Sequence, residues 1–181
     1  MTRRLSMDLR EKKTKKNIRN AFLALRAKKD LERITVKELA ELAEISKATF
    51  YLHYRDIYDL SDVMQREVIR SVLKGIPRPQ DVWENPAAFT RNLTESFHAQ
   101  KHIIHILFSG SQSYVLSQSI EQEIRLYIFQ MRPDLKDDAP FNIWLTYQIQ
   151  GAYYAYMEHC DTLGLEAFLD VLTNLTILPL H

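Results

Sequence analysis

The sequence has little that can cross-link the chain or carry it into a membrane. One of its 181 residues is a cysteine, Cys160, which excludes an intramolecular disulfide and fits a reducing compartment. The first residues are charged and lack the apolar stretch of a signal peptide. No run approaches the ~20 apolar residues that span a bilayer. We therefore expect a cytoplasmic protein that does not enter the membrane.

Glycine and proline are missing from the first 74 residues, because all four glycines and all six prolines lie at position 75 or later. Helices in that part must end at polar turns and capping side chains. Polar and apolar residues alternate nowhere over a useful length, as they would in a half-buried strand. The sequence therefore predicts an all-α fold.

Charge is shared unevenly along the chain. Residues 1–74 contain 18 Lys and Arg against 11 Asp and Glu, whereas residues 75–181 contain 6 against 12. A basic N-terminal part joined to an acidic remainder is typical of proteins in which one end meets a polyanion. The alternative is that the asymmetry arose by chance in a helical protein.

The first 13 residues are polar and basic, with Arg3, Arg4, Arg10, Lys12 and Lys13. We interpret them as a solvated, partly disordered arm in front of the first helix. The other interpretation is additional contact with phosphates or a minor groove, as the N-terminal arms of some DNA-binding proteins make.

Four helices are predicted in the first 74 residues. The first covers about residues 14–29, with apolar side chains at i, i+3, i+4 and i+7. The second begins at Thr35, whose hydroxyl can accept the backbone N–H of Glu38 while the Glu38 carboxylate returns to Thr35. Ser46 caps the third helix, and Asp56 caps a long fourth helix that ends at the first glycine.

The third predicted helix has a surface that is unusual for a short helix. With Phe50 in the core, the remaining side chains offer a cation, hydroxyls, an imidazole and apolar groups able to touch a thymine methyl. They are Lys47, Ala48, Thr49, Tyr51, Leu52 and His53. We interpret the second and third helices as a helix-turn-helix whose second helix enters the major groove of double-stranded DNA. The alternative is that the aromatic rings pack on neighbouring helices, which we expect for Tyr54.

These residues resemble the DNA-binding domain of the TetR/AcrR family of bacterial transcriptional regulators, over about residues 14–60. The matching pieces are Ile34-Thr35-Val36, Leu39-Ala40 with Ala43, Ser46 through Tyr51, and His53-Tyr54 followed by Asp56 and Leu60. The string ATFYLHY followed by YDL is similar to a branch that includes dihydroxyacetone-kinase regulators. The resemblance implies base contacts from Lys47, Ala48, Thr49 and Leu52, and phosphate contacts from Thr35, Lys37, Tyr51 and His53.

Two positions depart from the family pattern. The turn between the second and third helices often holds glycine in the family, but here Glu44 must adopt a left-handed conformation or the turn must differ. The family's lysine just after the cap of the fourth helix is replaced by Ile57. Arg55 or the helix N-terminus itself could supply that anion contact. Ser46 and Arg55 complete the candidate DNA-binding residues.

The second half predicts four more helices after a proline-rich connector over residues 75–86. They cover about residues 87–109, 112–131, 140–162 and 165–178. We therefore expect a helix-turn-helix DNA-binding domain with its arm in residues 1–56, and a helical ligand-binding and dimerisation domain in residues 57–181. The long fourth helix joins the two.

The last two helices are predicted to form a dimer interface as a two-fold four-helix bundle. The candidates are Trp144, Gln148, Gly151, Ala152 and Ala155 on the first of them, and Leu165, Phe168, Leu169, Leu172 and Leu175 on the second. The family resemblance implies the same arrangement. The alternative is that both helices serve only the core of their own chain.

An effector pocket is also expected between helices of the second half, lined by aromatic side chains. The candidates are Phe97, Phe108, Tyr127, Phe129, Tyr153 and Tyr154, although aromatics at helical spacing also fill cores. His98, His102 and His105 share one predicted helix face and could ligate zinc or nickel, but no carboxylate or cysteine has matching spacing. An interface or solvated face is the preferred interpretation, and no metal, cofactor or catalytic residue is predicted.

Together these features predict a homodimeric regulator that is not an enzyme. We expect it to act as a repressor on a near-palindromic operator and to be released by a small-molecule effector. Control by a protein partner through the second half is one alternative, and a helical metal-dependent enzyme is another.

Overall fold

The computed structural model describes residues 2–78, 80–112 and 115–176, with side chains from residue 9 onward. Throughout these residues the chain forms helices and no strand, which confirms the predicted all-α class. Positions 113–114 and 177–178, where one predicted helix starts and another ends, lie outside the described residues. The side chains of Arg3 and Arg4 lie outside them as well.

Ten α-helices occur in the described part of the chain. They are α1 (Thr2–Arg26), α2 (Val36–Leu42), α3 (Lys47–Tyr51), α4 (Ile57–Lys74), α5 (Asp81–Glu84), α6 (Pro86–Ala99), α7 (Lys101–Leu107), α8 (Val115–Met131), α9 (Ala139–Leu163) and α10 (Leu165–Asn174). Short 3₁₀ turns follow α1, α7 and α8.

The chain divides into two compact units. Unit 1 comprises Met1–Gln65 and Ile103–Ser113, and unit 2 comprises Arg66–His102 and Tyr114–His181. The helix α4 therefore begins in unit 1 and ends in unit 2. The functional division into residues 1–56 and 57–181 stays a prediction.

Two predicted segments need correction. Residues 2–13 belong to α1 and are not a disordered arm, because nothing in them breaks a helix and the Glu11–Lys15 pair, 2.8 Å apart, supports it at i, i+4. The helix predicted over 87–109 is two helices, since the backbone of Gln100 leaves the helical conformation at φ −106° and ψ 8°. The connector after α4 contains α5.

Unit 1 packs α1, α2, α3 and the start of α4 around Phe22, Leu39, Phe50 and Leu60, none of which has any exposed surface. The segment 103–113 joins this unit from far along the chain. The buried Gln65 donates its Nε2 hydrogen to the carbonyl of Leu107 at 3.0 Å. The core of unit 1 is therefore completed by a segment from far along the chain, which no pattern in the N-terminal residues predicts.

Arg26 makes the most extensive polar link in unit 1. Its buried guanidinium donates to the carbonyl of Lys29 at 2.9 Å, and to the carbonyl and Oγ of Ser109 at 3.1 and 2.9 Å. Desolvation lowers the pKa of Arg26, while Asp30 and Glu32 oppose that change. Ser111 also hydrogen-bonds to Glu32. These bonds hold the segment 103–113 against the end of α1.

Unit 2 packs the end of α4 with α5, α6, α8, α9 and α10. The Arg70 Nε lies 2.8 Å from Glu123 Oε2, and the Ser96 hydroxyl donates to the carbonyl of Val72 at 2.8 Å. Arg91 joins α6 to α10 through Asp170 at 2.7 Å. In the part of the chain that the structure describes, no helix is both long and apolar enough to cross a bilayer.

Candidate nucleic-acid interface

The turn between α2 and α3 is built without glycine. Glu44 has a φ of 57°, so of the two alternatives for this position the chain adopts the left-handed conformation. The N–H of Ile45 donates to the carbonyl of Ala40 at 3.0 Å, and the N–H of Glu44 donates to that of Glu41 at 3.2 Å. This pair of bonds is the Schellman arrangement, which closes a helix with one left-handed residue. The turn therefore pairs the helix-end carbonyls although Glu44 is strained.

Side-chain caps set the beginnings of the helices that follow. The Ser46 Oγ accepts the N–H of Thr49 at 3.0 Å, and the Asp56 Oδ1 accepts the N–H of Asp59 at 2.8 Å. Both predicted caps are confirmed. The Thr35 hydroxyl accepts the N–H of Glu38 at 3.2 Å, as predicted.

The other half of the predicted capping box is absent. The Glu38 carboxylate pairs with Lys29 instead of returning to the backbone of Thr35. A lysine ammonium at the end of the preceding segment gives the carboxylate a charged partner, which a backbone N–H does not. The N-terminus of α2 therefore keeps one cap bond, and Glu38 ties α2 to the residues after α1.

The α3 helix divides sharply between core and solvent. Phe50 has no exposed surface, and Tyr54 is 7% exposed with its ring centroid 5.8 Å from that of Phe50. This confirms the expected burial of Tyr54. By contrast Leu52 is 81% exposed and Tyr51 is 56% exposed. The aromatic Tyr51 and the apolar Leu52 therefore face solvent at the C-terminal end of α3, which has only five residues.

The remaining candidates in and just after this helix are also accessible. Lys47 and Ala48 are exposed, and Thr49 and His53 are partly exposed. Within the described residues Lys47 has no ion-pair or hydrogen-bond partner, whereas the hydroxyls of Ser46 and Thr49 lie 2.9 Å apart. The Lys47 ammonium is therefore free to meet an anion or a base edge.

The flanking candidates are also accessible. Thr35 and Lys37 are exposed, and Lys37 lies 4.0 Å from Glu41. The Arg55 side chain is 86% exposed and reaches Asp59 at 3.2 Å. A contact at this exposure is worth little and can be exchanged for another anion. We name the ten exposed or partly exposed candidates the α2–α3 surface: Thr35, Lys37, Ser46, Lys47, Ala48, Thr49, Tyr51, Leu52, His53 and Arg55.

The N-terminus of α4, one of the two groups expected to contact an anion, is already occupied by carboxylates. Ile57 is 5% exposed and belongs to the core of unit 1. The carboxylate of Asp56 occupies the N–H of Asp59, and the Asp59 carboxylate in turn accepts the N–H of Arg55 at 3.0 Å. Because two carboxylates already satisfy and neutralise this helix end, Arg55 is the better candidate for a phosphate contact there.

The predicted dimer residues are placed mostly inside unit 2. Phe168, Leu169 and Leu172 are at most 7% exposed, because α10 packs on α6 and α9. Ala155 and Leu165 are partly buried against the cluster of Cys160, Phe168 and Leu172. Trp144, Gln148 and Ala152 line a cavity. Only Gly151 and Leu175 are exposed, so the predicted α10 seam needs correction, although dimerisation itself stays a prediction.

Large apolar side chains are exposed on the same two helices, among them Leu175, predicted at the interface, and Tyr154, predicted in the pocket. Large apolar residues of α9 recur at spacings of four, seven and three, and lie on one helix face. We name this surface the α9–α10 stripe: Ile143, Tyr147, Tyr154 and Met157, with Val171 and Leu175. Each is at least 56% exposed. The spacing of these residues in α9 could have identified this face. Because apolar residues lie on all sides of α9, however, the sequence did not show which side is buried.

Two of the six predicted pocket residues come together. Phe97 and Tyr153 line a cavity of about 100 Å³ within unit 2. Phe108 is buried in unit 1, and Tyr154 is exposed on the α9–α10 stripe. Tyr127 and Phe129 are partly buried away from the cavity lining. Apart from Phe97, the prediction missed the cavity-lining residues of α4, α6 and α8, because their apolar character is shared by every core position.

The three histidines do not share one continuous helix. His98 lies in α6, whereas His102 and His105 are exposed on α7. The Nδ1 of His98 lies 2.7 Å from the hydroxyl of Tyr156, and Cys160 is 4.0 Å from the same nitrogen. Burial raises the pKa of the Cys160 thiol. Across the described residues, no group of three or more His, Cys, Asp or Glu is placed to hold a metal ion.

Comparison with known proteins gives one partial match. Over 59 residues the chain is 34% identical to the Uncharacterized HTH-type transcriptional regulator YxbF of Bacillus subtilis (strain 168). No family model matches the chain, and no solved structure matches it. The match covers 33% of this chain and 14% of the length of that protein. Over a third of its length, the chain is therefore similar to a protein described as an HTH-type transcriptional regulator.

Proposed function

We propose that this chain is a DNA-binding transcriptional regulator that reads its site through α3. The observation that carries the proposal is the division of that helix, with Phe50 fully buried and Leu52 81% exposed. A lysine, hydroxyls and an exposed apolar side chain on one short helix suit the base edges of a major groove. The partial similarity to an HTH-type transcriptional regulator supports the same function.

The resemblance to TetR/AcrR regulators implies two kinds of contact. Lys47, Ala48, Thr49 and Leu52 extend from α3 and would read bases. The other members of the α2–α3 surface, with Thr35 and Lys37 at the start of α2 and Arg55 before α4, would hold phosphates. The excess of positive charge in residues 1–74 supports attraction to the duplex.

We further propose that two copies of the chain bind one near-palindromic operator. The α9–α10 stripe is the surface that a second copy would cover, because its side chains are large, apolar and on neighbouring helices of unit 2. A symmetric dimer presents two α3 helices to two half-sites. The same stripe would also suit a protein partner, which makes control by another protein the second candidate.

Repression released by a small molecule completes the proposal. The α4 helix runs without interruption from Ile57 in unit 1 to Lys74 in unit 2. Three of its residues, Ile69, Val72 and Leu73, line the cavity. A molecule that prefers one conformation of the cavity would shift the population of α4 positions, and with it the fit of both α3 helices to the operator.

The test is the affinity for duplex DNA of matched lysine variants. Lys47→Ala should weaken binding by about 1–3 kcal/mol and relax base preference if Lys47 reads a base edge. Lys28→Ala is the control, because Lys28 is also an exposed cation of unit 1 and lies outside the α2–α3 surface. Equal losses for both variants would mean that α3 does not read the duplex. Affinity should also fall steeply between about 50 and 200 mM salt, and a flat response would contradict DNA binding.

A further inference from the structure

The cavity of unit 2 has walls of an unusual composition. Its volume is about 100 Å³, and residues of α4, α6, α8 and α9 surround most of it. Five aromatic side chains line it: Phe89, Phe97, Trp144, Tyr153 and Tyr156. Aromatic rings attract another ring through offset or edge-to-face contacts. Although aliphatic side chains make up more of the lining, the five rings offer a flat ring contacts that a flexible chain would not make.

No charged side chain lines the cavity among the residues described. An ionised group that entered would lose its hydration without gaining an ion partner, which is strongly unfavourable. Burial also raises the pKa of Tyr153 and of Tyr156, so both phenols stay neutral at physiological pH. The cavity therefore excludes ionised ligands.

Neutral polar groups nevertheless reach the cavity wall. Thr94, Gln148 and Tyr153 line it, and within the described part of the chain none of their side chains has a hydrogen-bond partner. The Tyr156 hydroxyl, in contrast, is paired with His98 at 2.7 Å, and the Thr176 hydroxyl lies 3.4 Å from that of Thr90. Three unpaired groups that can donate and accept hydrogen bonds are thus available to a ligand.

The volume of the cavity limits the size of the ligand that it can bind. Benzene enters an apolar cavity of about 150 Å³. The cavity here is smaller, at about 100 Å³, so a ring with one substituent fills it and displaces side chains at its wall, and a larger ligand does not fit.

We propose that the cavity binds an uncharged molecule with a single aromatic ring and one hydrogen-bonding substituent. The ring contacts the aromatic wall, and the substituent pairs with Gln148, Thr94 or Tyr153. Only the role of this molecule as a regulatory effector rests on the proposed function. Binding itself is independent of DNA and is measured without it, so the two proposals fail separately.

The first experiment compares probes of equal size on the full-length chain. Trp83→Phe leaves Trp144, on the cavity wall, as the single tryptophan and fluorescence reporter. Phenol and toluene have the same shape and differ by one hydroxyl, and benzamide and benzoate differ by one charge. Phenol should bind about tenfold more tightly than toluene, the ratio given by one hydrogen bond. Benzamide should bind at least about 100-fold more tightly than benzoate.

Two results would overturn the proposal. One is benzoate binding as tightly as benzamide. The other is no change in Trp144 fluorescence with any of the four probes up to their solubility. Both results come from a chain changed only at Trp83, which is absent from the cavity wall. The proposal can therefore be tested even if a variant of a cavity-lining residue fails to fold.

Matched variants then locate the site. Ala152→Leu fills the cavity and should reduce the affinity for phenol at least about tenfold. Ala155→Leu, one turn along α9 and outside the lining, should leave that affinity unchanged. Of Gln148→Leu, Thr94→Val and Tyr153→Phe, the variant that loses the hydrogen-bond partner should lose the preference for phenol over toluene while toluene still binds. Equal effects of Ala152→Leu and Ala155→Leu would place the bound probe elsewhere.

Discussion

The short helices of unit 1 and the long helices of unit 2 expose their functional candidates in different ways. The helices α2 and α3 contain seven and five residues, and side-chain caps set where each begins. The helix α9 contains 25 residues, and both of its faces carry large apolar side chains. In the short helices, local hydrogen bonds determine where each helix begins, and so which residues it contains. In α9, only packing against other helices determines which residues meet solvent.

Sequence patterns were accordingly more informative for unit 1. Capping residues act on the next three or four residues, so Thr35, Ser46 and Asp56 could be placed without knowledge of tertiary structure. The resemblance to a family with glycine in this turn directed attention to Glu44, for which a left-handed conformation was one of two alternatives. The ten residues of the α2–α3 surface could be named in advance, although their contacts with DNA stay predictions.

For unit 2 the sequence could not separate core from surface. Phe168, Leu169 and Leu172 are spaced as a seam would be, but the same spacing suits a helix buried against α6 and α9. The long-range bond between Arg26 and Ser109 was equally invisible, because residues 83 positions apart leave no mark in any local pattern. The cavity depends on small gaps between helices, which composition does not reveal.

The largest expected effect tests whether the α9–α10 stripe forms the dimer interface. The double variant Tyr147→Glu, Tyr154→Glu should raise the dissociation constant of the dimer by about 1,000-fold or more, because each buried aromatic anchor occurs twice in a symmetric interface. Sedimentation equilibrium measures it. Tyr58→Glu is the control, because Tyr58 is also more than half exposed but belongs to unit 1. A wild-type chain that is monomeric, or a double variant that still dimerises, contradicts the role of the stripe.

A smaller effect tests whether unit 1 depends on a remote segment. Arg26→Met keeps the volume of the side chain but removes its hydrogen bonds to Lys29 and Ser109. The free energy of unfolding should fall by about 2–4 kcal/mol, because the part-buried carbonyls of Lys29 and Ser109 lose their hydrogen-bond donor. Urea denaturation measures it, and Lys28→Met, an exposed neighbour, should change little. Equal stability of the two variants would mean that the segment 103–113 is not held by Arg26.

The smallest effect tests the glycine-free turn. Glu44→Gly should stabilise the chain by about 0.5–1 kcal/mol, because glycine adopts a φ of 57° without the steric penalty that a Cβ carries. Glu44→Ala removes the same carboxylate but keeps the Cβ, so it should give no such gain. Thermal denaturation of the two variants under identical conditions measures the difference. A gain from alanine equal to that from glycine would assign the effect to charge instead of backbone conformation.

Selection of bound fragments from a random pool of duplex DNA tests the central proposal most directly. The α2–α3 surface and a two-fold dimer predict enrichment of one inverted repeat, with half-sites separated by about one helical turn or somewhat more. Lys47→Ala should enrich a less restricted half-site from the same pool. If no sequence is enriched, or if a single half-site binds as tightly as the repeat, then the proposed dimeric DNA-binding regulator is contradicted.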